Sequence, residues 1–194
     1  MTEKEKQQAG ELYNGFDKEL LAERAAAKKL CAEYNAITYN DYQKKERLLD
    51  RLLSLRGEKT WIEPGFWCNY GYNIILGDNF NANHNLVILD SAEVVFGNNV
   101  YIGPNCSFYT MACPLSAEQR SEGLEYAKPI NVGNDVWIGG NVCVMPGVTI
   151  GDGAVIGGGS VVTSDIPAGV LACGNPCKPV RNITEADKMP VSED

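Results

Sequence analysis

Seven cysteines and a single histidine make up the chain's thiol and imidazole chemistry. The cysteines (Cys31, Cys68, Cys106, Cys113, Cys143, Cys173 and Cys177) are odd in number and scattered. That pattern reads as reduced thiols in a cytoplasmic protein, not as a disulfide framework. Zinc wants paired cysteines or several histidines. No Cys-x-x-Cys pair occurs and His84 stands alone, so no metal site is expected. A formal net charge of −8 argues against nucleic acid or an anionic membrane as partner. A polyanionic cofactor would have to meet a local cluster of basic residues. The start, MTEKEKQQ, has no signal-peptide character, and no apolar run is long enough for a membrane span.

Any such chemistry must be positioned by the stretch from Val132 to Ile166, which repeats every six residues. An aliphatic residue opens each six: Val132, Ile138, Val144, Ile150, Ile156 and Val162. The fifth place is small or aliphatic: Val136, Val142, Val148, Ala154, Ser160 and Ile166. A period of six is neither helical nor that of a flat strand. It is the signature of a solenoid with flat sides, the hexapeptide β-helix, whose opening residues stack inward from coil to coil. Glycine follows four of the openers, and the expectation is that it serves the backbone angles of the corners. Weaker sixes precede this stretch at Leu76, Ala82 and Ile88. After a two-residue slip they resume at Phe96, Ile102 and Phe108. Asparagine crowds the intervening turns, where it tolerates left-handed geometry.

Residues 1–57 are different material, rich in Glu, Lys, Leu and Ala. A short helix is expected around Glu3–Tyr13, and a second after the N-cap Asp17. A third is expected from about Asp41 to Leu55, with Leu48, Leu49, Leu52 and Leu53 on its apolar face. Such a unit would cap the open end of a solenoid. The solenoid is assigned to 58–183, with an excursion at 111–129 that carries no repeat. Residues 184–194 form a polar tail.

Several segments together resemble the maltose and galactoside O-acetyltransferases, of the hexapeptide-repeat acyltransferase superfamily. They are NFNANHNLVILD, GPNCSFYT, VWIGGNV and PGVTIGDGAVIGGGSVVTSDIPAGVLACGNPCKPVR. The resemblance covers nearly the whole chain. It implies an all-β solenoid, a left-handed parallel β-helix with a helical cap, assembled as a homotrimer with sites between subunits. It also implies acetyl-CoA as donor and a sugar hydroxyl as acceptor. Acetyl transfer to a hydroxyl needs a general base, donors for the tetrahedral oxyanion, and two substrates held together.

The family's base is a histidine in a Thr-Ala-x-His-Pro motif. Here the matching run is Thr110-Met111-Ala112-Cys113-Pro114-Leu115, with Cys113 at the histidine's place. A thiol suits the task less well than an imidazole, whose pKa lies nearer neutrality. Four readings stay open. The change disables the chemistry and leaves a homologue that binds acyl-CoA or sugar; Cys113 works as thiolate base or acyl carrier; the cysteine is an introduced change; or His84 has taken over. A surface or structural His84 is favoured over a base, because neighbours in an extended turn point in different directions. By the same resemblance Asn83 contacts the acceptor, and Asn69, Asn81 and Ser91 stand at other acceptor positions with altered residue types. Trp137 lines the cleft, the Gly140 amide faces the thioester carbonyl, and Gly158, Thr163 and Ser164 follow the CoA arm. Lys178 and Arg181 meet its phosphates.

Overall fold

The structure, a computed structural model, describes residues 1–38 and 41–190; the last four residues of the tail lie outside them. Three parallel sheets form the sides of a solenoid. The first side holds strands Leu55–Arg56, Ile74–Leu76, Val94–Phe96, Ile130–Val132 and Thr149–Ile150. The second holds Trp61–Ile62, Asn81–Ala82, Tyr101–Ile102, Trp137–Ile138, Val155–Ile156 and a closing hairpin, Val170–Gly174 with Cys177–Asn182. The third holds Trp67–Cys68, Val87–Leu89, Ser107–Tyr109, Cys143–Val144 and Val161–Val162.

Every opener and every fifth residue named above is buried. The openers stack in register, Ala82 on Ile102 on Ile138 on Ile156. Phe96 sits between Phe80 and Phe108 with both ring centroids at 5.0 Å, an edge-to-face cluster in the interior. The coil length changes along the chain. Trp61 pairs with Asn81 and Asn81 with Tyr101, steps of 20 residues, whereas Trp137 pairs with Val155, a step of 18. Tyr101 pairs with Trp137, a step of 36, or two 18-residue coils. The excursion therefore spends one coil's length outside the wall and returns in register.

The glycines after the openers do a different job from the expected one. Gly139 is not in the left-handed region; a Cβ there would lie 2.6 Å from the Gly158 amide nitrogen of the next coil. Close approach of coils, not corner geometry, excludes a side chain. Positive φ is carried instead by Lys59, Asn79, Asn85, Asn99, Asn105, Asp135 and Asn141, and from Gly147 onward by glycines. The asparagines also bond coil to coil. Asn79 donates to Asn99 at 3.0 Å, and Asn99 to Asp135 at 2.8 Å.

The N-terminal segment has three helices, α1 (Glu3–Gln8), α2 (Lys18–Asn35) and α3 (Tyr42–Leu52). The Asp17 carboxylate accepts from the Glu19 and Leu20 amides and caps α2 as expected. The first helix is shorter than its sequence suggests, because Gly10 turns the chain at φ 71°. Tyr13–Asn14 then forms a strand. The third helix stops at Leu52, since Leu55–Arg56 is already the first strand of the wall. Leu48, Leu49, Leu52 and Leu53 are buried against the open end.

Candidate active site

The excursion is built, not loose. Met111–Ala112 pairs antiparallel with Leu124–Ala127, and the short helix α4 (Ala117–Ser121) lies between them. Leu124–Ala127 also pairs with Tyr13–Asn14, so three strands join the excursion to the N-terminal segment. Cys113 follows the first of these strands. It is exposed and free. Met111 pairs with Ala127 and Ala112 with Tyr126, where this pairing ends; Glu125, the next residue of the partner strand, pairs with Tyr13 on its other edge. The Glu125 carboxylate accepts from the Tyr13 hydroxyl at 3.0 Å. It also lies over Gly15, where a Cβ would sit 2.6 Å from its carboxyl carbon. Tyr13 is wholly buried, and burial pushes its phenol well above the ordinary range.

Asn69 and Ser91 belong to the same corner of the solenoid, after the third side. The amides of Asn69, Tyr70 and Gly71 all donate to Asp90, at 2.9, 2.9 and 2.6 Å. Burial pushes the Asp90 carboxyl up to about 6, against the downward pull of these bonds. Ser91 is buried beside it. Thr163 and Ser164 stand exposed at the same corner, further along the axis.

The other expected site residues collect on the second side. A cleft of roughly 300 Å³ is lined by Trp61, Glu63, Asn81, Asn83, Tyr101 and Trp137, among others. Trp61, Asn81, Tyr101 and Trp137 are in register on successive strands, so their side chains form one column on the outer face. Trp137 is 57% exposed, far more than a packing role would leave. The Trp61 indole donates to Glu63 at 2.9 Å. The Asn83 side-chain oxygen accepts from the His84 amide at 2.8 Å, which leaves its NH2 group for the cleft. The His84 ring lies 3.3 Å from the Pro64 carbonyl and is exposed; it is not among the residues lining the cleft.

At the corner after the second side, Gly140 and Gly158 lie on adjacent coils. The Gly140 carbonyl accepts from the Gly159 amide at 2.9 Å. Among the described residues neither the Gly140 nor the Gly158 amide donates within the chain, so both can serve a ligand. Beyond them the closing hairpin carries Lys178, exposed, and Arg181. Arg181 shares the column of Trp137 through Val155 and Leu171, three strand spacings or about 14 Å away. Its guanidinium grips Asp187 at 2.8 and 2.6 Å, which holds that carboxyl down at about 2.

The structure thus sorts the expected residues into two groups. Asn81, Asn83, Trp137, Gly140, Gly158, Lys178 and Arg181 lie on the second side and its following corner. Asn69, Ser91, Cys113, Thr163 and Ser164 lie at the corner after the third side. One side of about six residues separates the two, roughly 20 Å. Glu63, Tyr101 and Glu125 were not singled out from sequence. The first two lie one coil from Asn83 and Asn81, at spacings of 20, and the coil length reveals them. Glu125 had no such signal, because antiparallel pairing across a helical turn leaves no period.

Among the described residues no helix is long and apolar enough to cross a membrane, and no cluster of His, Cys, Asp or Glu could hold a metal ion. Residues 6–54 match the maltose acetyltransferase hexapeptide capping motif, and 129–164 match the bacterial transferase hexapeptide of six repeats. The galactoside O-acetyltransferase of Escherichia coli is 42% identical over 95% of this chain and 91% of its own. Among solved structures, a maltose O-acetyltransferase from Clostridium difficile superposes with a TM-score of 0.93 at 44% identity, covering 95% of this chain and 99% of that one. A galactoside acetyltransferase in complex with coenzyme A superposes with a TM-score of 0.94 at 41% identity, covering 100% and 97%. With its capping motif, its repeats and the near-complete coverage of these relatives, the chain belongs to the galactoside and maltose O-acetyltransferase family, a family of acyltransferases.

Proposed function

We propose that this chain moves the acetyl group of acetyl-CoA to a hydroxyl of a sugar. The observation that carries the reading is the cleft on the second side. Trp61, Tyr101 and Trp137 offer faces for a sugar ring, and Asn81, Asn83 and Glu63 offer donors and acceptors for its hydroxyls. The Gly140 corner beside it presents a free amide to a thioester oxygen. Lys178 and Arg181 meet the phosphates of the donor at the far end of the same column. The spacing of about 14 Å suits an extended pantetheine arm between them.

In the reaction the hydroxyl oxygen attacks the thioester carbon, a C–O bond forms and the C–S bond breaks. The hydroxyl proton passes by way of the base to the departing CoA sulfur. The base position, Cys113, lies at a different corner from the cleft, so a complete site draws on two copies of the chain. A homotrimer with sites between copies meets that need. Seven free thiols suit the reducing cytoplasm.

Continuing the register of Met111–Ala112 by one residue would set Glu125 opposite position 113, where a carboxylate orients and stabilises an imidazolium and repels a thiolate. The active-site frame is therefore set for a histidine, and the chain as it stands is a slow enzyme. The second reading, a binding homologue without turnover, rests on this same pairing. Acetyl transfer from acetyl-CoA to a panel of neutral sugars, measured for the chain and for Cys113→His, separates them. Slow transfer that rises in the variant is expected. Fast transfer by the chain that is lost in Cys113→Ala would instead make Cys113 a working thiol. Loss in His84→Ala would move the base to His84.

A further inference from the structure

Among the described residues one cation is buried without a hydrogen-bond partner. Lys45, on α3, is 5% exposed, and its ammonium is the only buried side-chain polar atom among the described residues that lacks a hydrogen bond. An unpaired buried ammonium costs several kcal/mol relative to water. The face of Trp61, with its centroid 5.3 Å from Nζ, offsets part of that. Glu46, the next residue, is exposed and forms no ion pair with it. Two neighbouring polar groups are also committed: Glu63 accepts from the Trp61 indole, and the Tyr34 hydroxyl donates to the Ile62 carbonyl at 2.5 Å.

Lys45 opens into a small pocket walled by Tyr34, Tyr42, Leu49, Thr60, Trp61 and Ile62, with the exposed Glu46 also on its lining. The space is roughly 50 Å³, somewhat less than the share of two water molecules. That is too small for a sugar ring and close to the size of a carboxylate. Trp61 is a wall of this pocket and of the larger cleft on the second side. A ring seated in the cleft could place one substituent past the edge of the indole, next to Lys45.

We propose that this pocket is a subsite for the carboxylate of the acceptor, so that the cleft favours acidic sugars over neutral ones. The inference rests on the sugar-acceptor reading and names a substrate class within it. A carboxylate there completes the ammonium, removes its desolvation cost from the bound state, and is held in a site from which most water is excluded.

The test is direct binding, followed by calorimetry and by tryptophan fluorescence, with glucuronate, glucose and acetate as probes. Glucuronate is expected to bind about 10-fold or more tightly than glucose, with acetate far weaker than either. Lys45→Met keeps the volume and removes the unpaired charge, so it is expected to fold. It should abolish the preference for glucuronate and leave the affinity for glucose. Lys45→Arg should keep part of the preference. Equal binding of glucuronate and glucose overturns the proposal, and so does a preference that survives in Lys45→Met. Acetate binding as tightly as glucuronate would make the pocket a free-carboxylate site and overturn its role in the acceptor. A change of sedimentation in Lys45→Met with the preference intact would assign the lysine to contacts between copies. Binding of glucose without preference sinks this inference alone, whereas binding of no sugar sinks the acceptor reading itself.

Discussion

The wall of the solenoid and the excursion that interrupts it are stabilised in opposite ways. In the wall each residue packs on its counterpart one coil away, and the same contact recurs at every level. Leu76, Phe96 and Val132 share one interior column, and Asn79, Asn99 and Asp135 share one turn. Losing one level weakens its neighbours only. The excursion has no such redundancy. Its strand Leu124–Ala127 is paired with Tyr13–Asn14, more than 100 residues earlier in the chain, and with Met111–Ala112. Beside that pairing, one side-chain hydrogen bond, Tyr13 to Glu125, ties this strand to the cap. The wall therefore supplies rigid, evenly spaced donor contacts, while the group expected to move the proton depends on a unique tertiary junction.

The comparison breaks first in the core. Phe96→Ala removes the middle ring of the aromatic cluster and is expected to cost about 3–5 kcal/mol in chemical denaturation. A cost below about 1 kcal/mol would mean that the coils collapse to refill the space. Next is the junction beneath the excursion. The folded-state pKa of Asp90 is about 6, above its ordinary value of 3.8, so the folded chain holds this proton more tightly than the unfolded chain does. Stability from this group is present below about pH 4 and is lost as pH rises through about 6. Between pH 4 and 7 the wild type should lose about 3 kcal/mol relative to Asp90→Asn, measured by urea melts at several pH values. A difference independent of pH would show that Asp90 stays ionised throughout.

Cys113→His is expected to raise the rate of acetyl transfer about 100-fold, at little cost to an exposed position. Removing the partner in the double variant Cys113→His/Glu125→Gln should return part of that gain. The smallest effect is expected at Gly140→Ala. A Cβ there meets the Pro104 ring at 3.2 Å, so stability should change by about 1 kcal/mol or less. The same change at Gly139, where the obstacle is backbone at 2.6 Å, should be far more damaging in a parallel thermal melt.

The wall was legible because its contacts lie at fixed sequence spacing. The residues read as inward-facing, from Leu76 to Val162, are all buried. The cap of α2 at Asp17 and the left-handed turns at Asn79, Asn85, Asn99 and Asn105 follow from local chemistry. The role of the glycines after the openers was not legible, since close approach of Gly139 to Gly158 is a property of stacked coils. The end of the first helix was misjudged because Tyr13 is drawn into a sheet with residues 124–127, and tertiary pairing overrides a helical pattern.

By itself, then, the sequence determined the side-chain period, hence the three-sided wall and the positions spaced along it. It also set Cys113 at the position proposed for the base. Period survives in a linear string because each contact in the wall is a repeat of the one before. Only the tertiary structure decided how the strand before that cysteine pairs, which expected site residues share a corner, and that among the described residues Lys45 is buried without a hydrogen-bond partner. Those facts depend on antiparallel pairing and on helix-to-wall packing between segments far apart in the chain. Such contacts occur once each and leave no spacing to read.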